Sequence, residues 1–472
     1  MSSKPSETYM LKRTELLVIT NDSDLLAVIK EAAVYYAFNT EFITDVFLAE
    51  AVVDKDGDVD ADEDWKASPQ VVFISLLMPS SIDEKVKAMV KLKSSYPRSQ
   101  IILAISGGEP VENYKSLQEA GADRLIFDHE VKFTSKFFYL CSMLVHGTYL
   151  PIQVSDLFPS TQVGFNAYHK LPINQKFLPV IFAGFIFSDK KYRRLEPVKQ
   201  VYVRREDLNE YRKYIESFHD NRGNALKKRC RATMMSLMGI YTELVVLLSL
   251  EAESNNQNFI KFKLEQYHNI ARDLAAYLKD CPDVWNVIFR ALDFQFCRQE
   301  RGPSILAYAL LIAQKTEPSA IENIALGVLF ADLGILDLPS SCYRQLVTEG
   351  EARLTPEEKD EYQHHPEHSL ARVSKDSLEV SQVLKDILTS THERADGKGF
   401  PNHIAKEKIS FEAQLIHFCE TLDRRTRANL EDGMVTHDFV RKQLWEEEKV
   451  SLACFNEDFL DKIEITVVTP VA

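Results

Sequence analysis

Four short segments rich in His, Asp and Glu interrupt otherwise helical sequence, and they constrain the fold more than any other feature. They are Phe330-Ala331-Asp332-Leu333-Gly334, His364-His365-Pro366-Glu367, Thr391-His392-Glu393-Arg394-Ala395-Asp396-Gly397-Lys398-Gly399-Phe400-Pro401 and Phe418-Cys419-Glu420-Thr421-Leu422-Asp423. Asp332, His365, His392 and Glu420 lie 33, 27 and 28 residues apart, which gives each its own helix. Imidazoles and carboxylates converging from separate helices are how bundles build metal centres. A histidine taken singly is more simply a capped or solvated residue. The dense run from His392 to Pro401 resists that simpler account.

Length and composition bound the rest. At about 150 residues per domain, 472 residues correspond to roughly three domains. Hydrophobic residues at 45% and charged residues at 27% exclude wholesale disorder. A formal charge of -14 argues against a nucleic-acid partner, which demands a basic face. Seven cysteines without a CxxC pair point to a reducing compartment. The most apolar stretches, Phe177 to Phe187 and Met234 to Leu250, read as core: one is too short to span a bilayer and contains Pro179, the other carries Glu243 at its centre. The expectation is a cytoplasmic protein with no membrane contact.

Residues 12–147 alternate short apolar runs with amphipathic stretches, the pattern of a doubly wound α/β domain. Candidate strands are Leu16–Ile19, Val71–Ile74, Ile101–Leu103 and Arg124–Phe127. The acidic run Asp54–Asp64 is read as a solvated loop, because Val59 and Trp65 stand where a calcium loop needs Gly and a bidentate Glu. The segments Ile19–Leu26, Ser75–Pro79 and Gly121–Asp123 resemble the response-regulator receiver domain. In that resemblance Thr20 and Asn21 replace the magnesium-binding acids, Ser75 replaces the phosphoacceptor Asp, and Asp128 replaces the lysine of the last strand. A serine hydroxyl does not substitute for a carboxylate nucleophile without activation, so the phosphorylation site is expected to be lost.

Residues 148–212, punctuated by prolines, suggest a small β-rich module in which Arg193-Arg194 and Arg204-Arg205 are solvated charge or, less simply, an anion site. Residues 213–283 read as a helical linker. There Ile260, Leu264, Tyr267, Ala271, Leu274 and Leu278 share one helix face; with too few heptads for a coiled coil, packing against neighbouring helices is the default for it and a homodimer seam the alternative. An all-α domain is expected over 284–466.

That last region resembles the HD-GYP family, helical metal-dependent phosphodiesterases of the HD superfamily that hydrolyse cyclic di-GMP. Gly334 and Pro339 fit the segment after the HD pair, and His365-Pro366 fits the next motif. His392, Glu393, Asp396, Gly397, Gly399, Phe400 and Pro401 form the signature loop, with Phe for Tyr. Residues 409–426 follow the family's next helix, and Phe455–Leu460 resembles its usual ending.

Departures from the pattern bear on function. Ala331 takes the place of the HD histidine, Thr391 that of the first signature histidine, Pro303 that of an upstream ligand, and Glu420 that of a ligand Asp. Ile335 stands where a lysine contacts substrate phosphate, and Asn429 and Asp432 where basic residues grip the dinucleotide. Hydrolysis by this family's chemistry needs bridged metals; Ala and Pro offer no ligand atom. The expectation is a degenerate, non-catalytic signalling protein that binds a protein partner, or a nucleotide such as cyclic di-GMP. Asp332, His365, His392 and Glu420 would hold at most one divalent ion, iron or manganese. The alternative is a residual metal-dependent phosphohydrolase acting with that single ion.

Overall fold

The computed structural model describes residues 14–35, 38–43, 69–75, 81–97, 99–145, 147–171, 177–218, 223–254, 256–291, 301–348, 351–375, 378, 380–431 and 436–468. The acidic run 54–64, residues 76–79 of the receiver pattern and Asp432 fall outside them. All four expected strands form: β1 (Leu16–Ile19), β3 (Val71–Ser75), β4 (Gln100–Ile105) and β5 (Arg124–Phe127). A fifth, β2 (Thr40–Ile43), pairs in parallel with β1 at the sheet edge, giving the all-parallel order β2-β1-β3-β4-β5. Its residues Thr-Glu-Phe-Ile lack the continuous apolar run that marks a strand buried on both faces. Helices α1 (Ser23–Tyr35), α2 (Ile82–Ser95), α3 (Glu112–Glu119), α4 (Asp128–Phe133) and α5 (Lys136–Val145) cover the sheet. Because strand side chains alternate, Val18, Phe73, Ile102 and Ile126 pack with α1 and α5, while Ile19, Val72, Leu103 and Leu125 pack with α2 and α3.

The β-rich module contains the antiparallel sheet β6-β11-β8-β9 and the ribbon β10-β7. Its strands are β6 (Tyr149–Gln153), β7 (Thr161–Gln162), β8 (Ala167–Lys170), β9 (Phe177–Ile181), β10 (Ile186–Phe187) and β11 (Gln200–Arg204), with α6 (Asp189–Leu195) and α7 (Leu208–Glu216) beside them. The expectation that Phe177–Phe187 is core is overturned here. β9 is an edge strand, and Phe182, Phe185 and Ile186 at the turn into β10 are exposed; Ile181 and Phe187 are the buried residues of the stretch, with Val180 partly buried against the core.

The helical part comprises α8 (Gly223–Ser249), α9 (Gln257–Lys279), α10 (Val284–Ala291), α11 (Gly302–Thr316), α12 (Ile321–Phe330), α13 (Ser340–Thr348), α14 (Pro356–Gln363), α15 (His365–Lys375), α16 (Gln382–Ser390), α17 (Phe411–Glu431), α18 (His437–Ser451) and α19 (Glu457–Val467). Two segments, Asn224–Ser249 and Pro318–Asp337, are long and apolar enough to cross a membrane, but they run through this interior, 94% and 67% buried. In the helical stretch 213–283 the shared face packs against neighbouring helices: Ile260, Tyr267, Ala271, Leu274 and Leu278 point inward, and α8 and α9 lie against α11.

The α/β domain and the helical part are joined through polar contacts. Ser135 donates its backbone N–H to the Leu336 carbonyl (3.1 Å) and its hydroxyl to the Leu338 carbonyl (2.7 Å). Beside it, Lys136 bridges Glu130 (2.8 Å) and Asp337 (3.0 Å). These contacts hold the 3-10 turn Leu333–Asp337 that begins immediately after Asp332.

Candidate metal centre

Asp332 sits where α12 ends and the 3-10 turn starts. The turn lies against the first residues of α15 so closely that a Cβ on Gly334 would run into the His365 carbonyl and the Ser369 amide. Ser369 clamps the two: its Oγ accepts from the Gly334 N–H (2.8 Å) and donates to the Ala331 carbonyl (2.9 Å). Asp332 is thereby fixed relative to His365, the first residue of α15.

His365 is fully buried. Its Nδ1 lies 2.6 Å from the Tyr362 carbonyl, which can only accept, so Nδ1 carries the proton and the Nε2 lone pair faces the site. This backbone contact has no sequence signature. His392 follows the end of α16 and presents its Nε2 3.0 Å from His365 Nε2. Asp332 Oδ1 lies 3.6 Å from the first of these nitrogens and 3.8 Å from the second. Asp332, His365 and His392 therefore bring one ligand atom each to within 4.8 Å of one another. Two ligands at right angles on a cation, each about 2.1 Å from it, lie roughly 3.0 Å apart. The trio fits one divalent ion, which would sit between the two imidazole nitrogens and the carboxylate.

Glu420 stands apart from the trio. Its Oε2 is 3.9 Å from His392 Nδ1, the nitrogen on the far side of the ring. That is the place of a group that orients an imidazole. Beneath it lies a set of charges that sequence reading missed: Arg301 donates to Asp423 (2.8 Å) and to the Glu420 carbonyl (2.9 Å), and Arg427 reaches the same buried Asp423 (3.0 Å). The only hint was Asp423, three residues after Glu420 and four before Arg427 on α17. His417, one turn before Glu420, is pushed down to about 4 by burial, so this imidazole is neutral.

The signature loop divides its work. Phe400 stacks on His392 (5.0 Å between centroids, 14° between planes) and meets His365 edge-on. Asp396 points elsewhere: its carboxylate accepts from Arg394 (2.8 and 3.0 Å) and from the Lys398 N–H (3.0 Å), and the guanidinium holds it below the usual carboxylate range. Glu393 is buried, accepts from the Asn402 N–H (2.6 Å), and has its carboxyl pushed up by burial. Gly397 takes φ +73°, and a Cβ on Gly399 would collide with the Glu393 backbone, so both glycines are required for the loop to close. Pro401 follows Phe400 in this same loop.

The altered positions are absorbed into packing. Ile335 is fully buried, Ala331 is nearly so, and the Thr391 hydroxyl donates to the Ile387 carbonyl of its own helix (2.7 Å). Pro303 is buried at the first turn of α11. Asn429 lies on α17, and its side chain is outside the described residues.

Residues 286–438 match the HD domain family model. The chain is similar to the cyclic di-GMP phosphodiesterase PA4108 of Pseudomonas aeruginosa, with 27% identity over 125 residues, 26% of this chain. The match spans 29% of that protein's length. Among solved structures, Bd1817, described as an HDG"Y"P protein from Bdellovibrio bacteriovorus, aligns over 68% of this chain and all of its own, with a TM-score of 0.40 and 18% identity. The chain thus carries an HD domain, and the trio Asp332, His365 and His392 lies within it.

Proposed function

We propose that the protein is a non-catalytic signalling scaffold whose HD domain holds one divalent ion, iron or manganese, and acts by binding a protein partner in the cytoplasm. The observation that carries this reading is the contrast within the site. Three ligand atoms converge, while Ala331, Ile335 and Thr391 direct apolar or already bonded groups into the core. A bridged centre needs ligands on both metals, and those positions supply none. The ion would fix the crossing of α12, α15 and α16. Relatedness to a cyclic di-GMP phosphodiesterase makes that dinucleotide the nucleotide to test for binding.

Elemental analysis of the purified protein should find about one iron or manganese per chain. His365→Ala should lose it, with an affinity drop exceeding the 10–100-fold typical of outer ligands. Cyclic di-GMP turnover should stay at background with either metal. Two metals per chain, or steady formation of the linear product, would establish the phosphohydrolase instead.

The N-terminal domain is proposed to be receiver-like in fold alone. The strand order 2-1-3-4-5 supports this, as does the buried hydroxyl of Ser75 at the end of β3. Near β1, the Lys132 ammonium is held by Asp22 (2.9 Å), a cation already placed at the acidic corner. Beryllofluoride with magnesium should leave the amide spectrum of this domain unchanged, whereas a saturable, stoichiometric shift would refute the reading.

A further inference from the structure

We propose that the turn between β9 and β10, together with α6, docks onto an anionic lipid surface. Phe182, Phe185 and Ile186 are 45%, 70% and 68% exposed, an apolar cluster at the tip of a β-turn. The exposure is built in. Phe185 N–H closes the turn on the Phe182 carbonyl (3.3 Å), and Gly184 at φ +82° supplies the conformation its third position requires. Several further polar groups of the tip are bonded within the module. Ala183 N–H donates to Asn166 Oδ1 (3.0 Å), Gly184 N–H to the Val163 carbonyl (2.8 Å), and Gln162 Nε2 to the Gly184 carbonyl (2.8 Å). The Phe185 carbonyl accepts from Val163 N–H (3.2 Å). A tip with most of its amides already bonded enters an acyl boundary with few polar groups left to desolvate.

Charge chooses the surface. The chain carries a net -14, yet the eighteen residues 182–199 hold five basic residues against two acidic ones. Lys191 places its ammonium 5.4 Å over the Phe182 ring, at the border of the tip. Lys190, Arg193 and Arg194 on α6 are exposed and make no ion pair among the described residues. Rings that reach one side chain deep, with free cations beside them, match the layering of acyl chains under anionic headgroups. Such peripheral contact requires no membrane-spanning segment, and it departs from the sequence-based expectation of no membrane contact.

The test is co-sedimentation of the full chain with vesicles. Binding is expected to mixed phosphatidylcholine and phosphatidylglycerol, with release at high salt and no binding to phosphatidylcholine alone. Near an anionic surface each basic residue contributes about fivefold, so the double variant Arg193→Glu, Arg194→Glu should bind at least roughly 25-fold more weakly. Phe185→Ser with Ile186→Ser should also weaken binding while leaving its salt dependence intact. All four positions are solvent-exposed, so unchanged circular dichroism is expected for both variants. Failure to bind anionic vesicles, equal binding by the variants, or a tip-dependent dimer in light scattering would each overturn the proposal.

Discussion

Lys136→Met should lower the unfolding free energy by about 3–5 kcal/mol, the usual cost of breaking a buried ion pair from one side. Lys136 is 2% exposed and Glu130 is completely buried. The carboxylate of Glu130 accepts from Lys136 (2.8 Å), from the Glu251 N–H (3.1 Å) and from the Phe127 N–H (3.1 Å). Met fills a similar volume, so lost packing is a minor part of the effect. The penalty falls on Glu130, left charged without its cation. Asp337 suffers less, because Arg372 still holds it at 2.5 and 3.2 Å. Adding Glu130→Gln should restore a substantial part of the loss, since the buried charge then disappears while one acceptor oxygen remains. Urea melts of the three variants measure this directly. A single-variant loss under about 1 kcal/mol, the range of an exposed pair, would show that water reaches the site.

The same network explains how the α/β domain bears on the metal centre. Asp337 ends the turn that Asp332 begins, and Arg372 lies two turns along the helix that His365 begins. Lys136 and Arg372 meet on one carboxylate. The N-terminal domain therefore braces two of the three elements that deliver ligands, the turn after Asp332 and α15, and Lys136→Met should loosen metal binding as well as stability.

Which parts of this arrangement were legible in the sequence follows from how each signal arises. Buried parallel strands require unbroken apolar runs, so β1, β3, β4 and β5 were visible, while the edge strand β2, with Thr40 and Glu41, was not. Asp332, His365 and His392 stood out because ligand-type side chains are costly inside apolar helices unless they are partnered. Spacing along α17 could not tell on which side of the His392 ring Glu420 would lie. Periodicity marked the α9 face as one to be packed against neighbouring helices, but it could not say that α8 and α11 are the ones that cover it. The run Phe177–Phe187 misled for a related reason: apolarity alone does not distinguish a buried strand from an exposed tip, and only Gly184 marked the turn.

Acidification should destabilise the HD domain over a defined window, and His437 is the group that isolates it. The imidazole is 1% exposed, and burial, reinforced by the Arg441 guanidinium, pushes it from the usual 6.5 down to about 4; Asp438 and Asp423 oppose this only in part. Its Nε2 pairs with the Tyr308 hydroxyl (2.9 Å), beneath the Trp285 ring (5.6 Å). In the unfolded chain the ring takes up a proton near 6.5, whereas in the folded chain it does so only near 4. Between those values the unfolded state binds more protons, so stability falls as the pH falls; below about 4 both states are protonated and this contribution levels off. The difference corresponds to about 3 kcal/mol. His417, pushed to a similar value, adds a loss of the same sign, so the total curve does not assign the effect to one residue. His437→Gln does, because the amide retains a partner for Tyr308 and does not titrate. The stability difference between parent and variant, measured by urea melts across pH 7 to 4, should be flat near neutrality. It should then shift by about 3 kcal/mol in favour of the variant on reaching pH 4. Parallel curves would mean that the ring is protonated in the folded state, with water or a carboxylate reaching it beside Arg441.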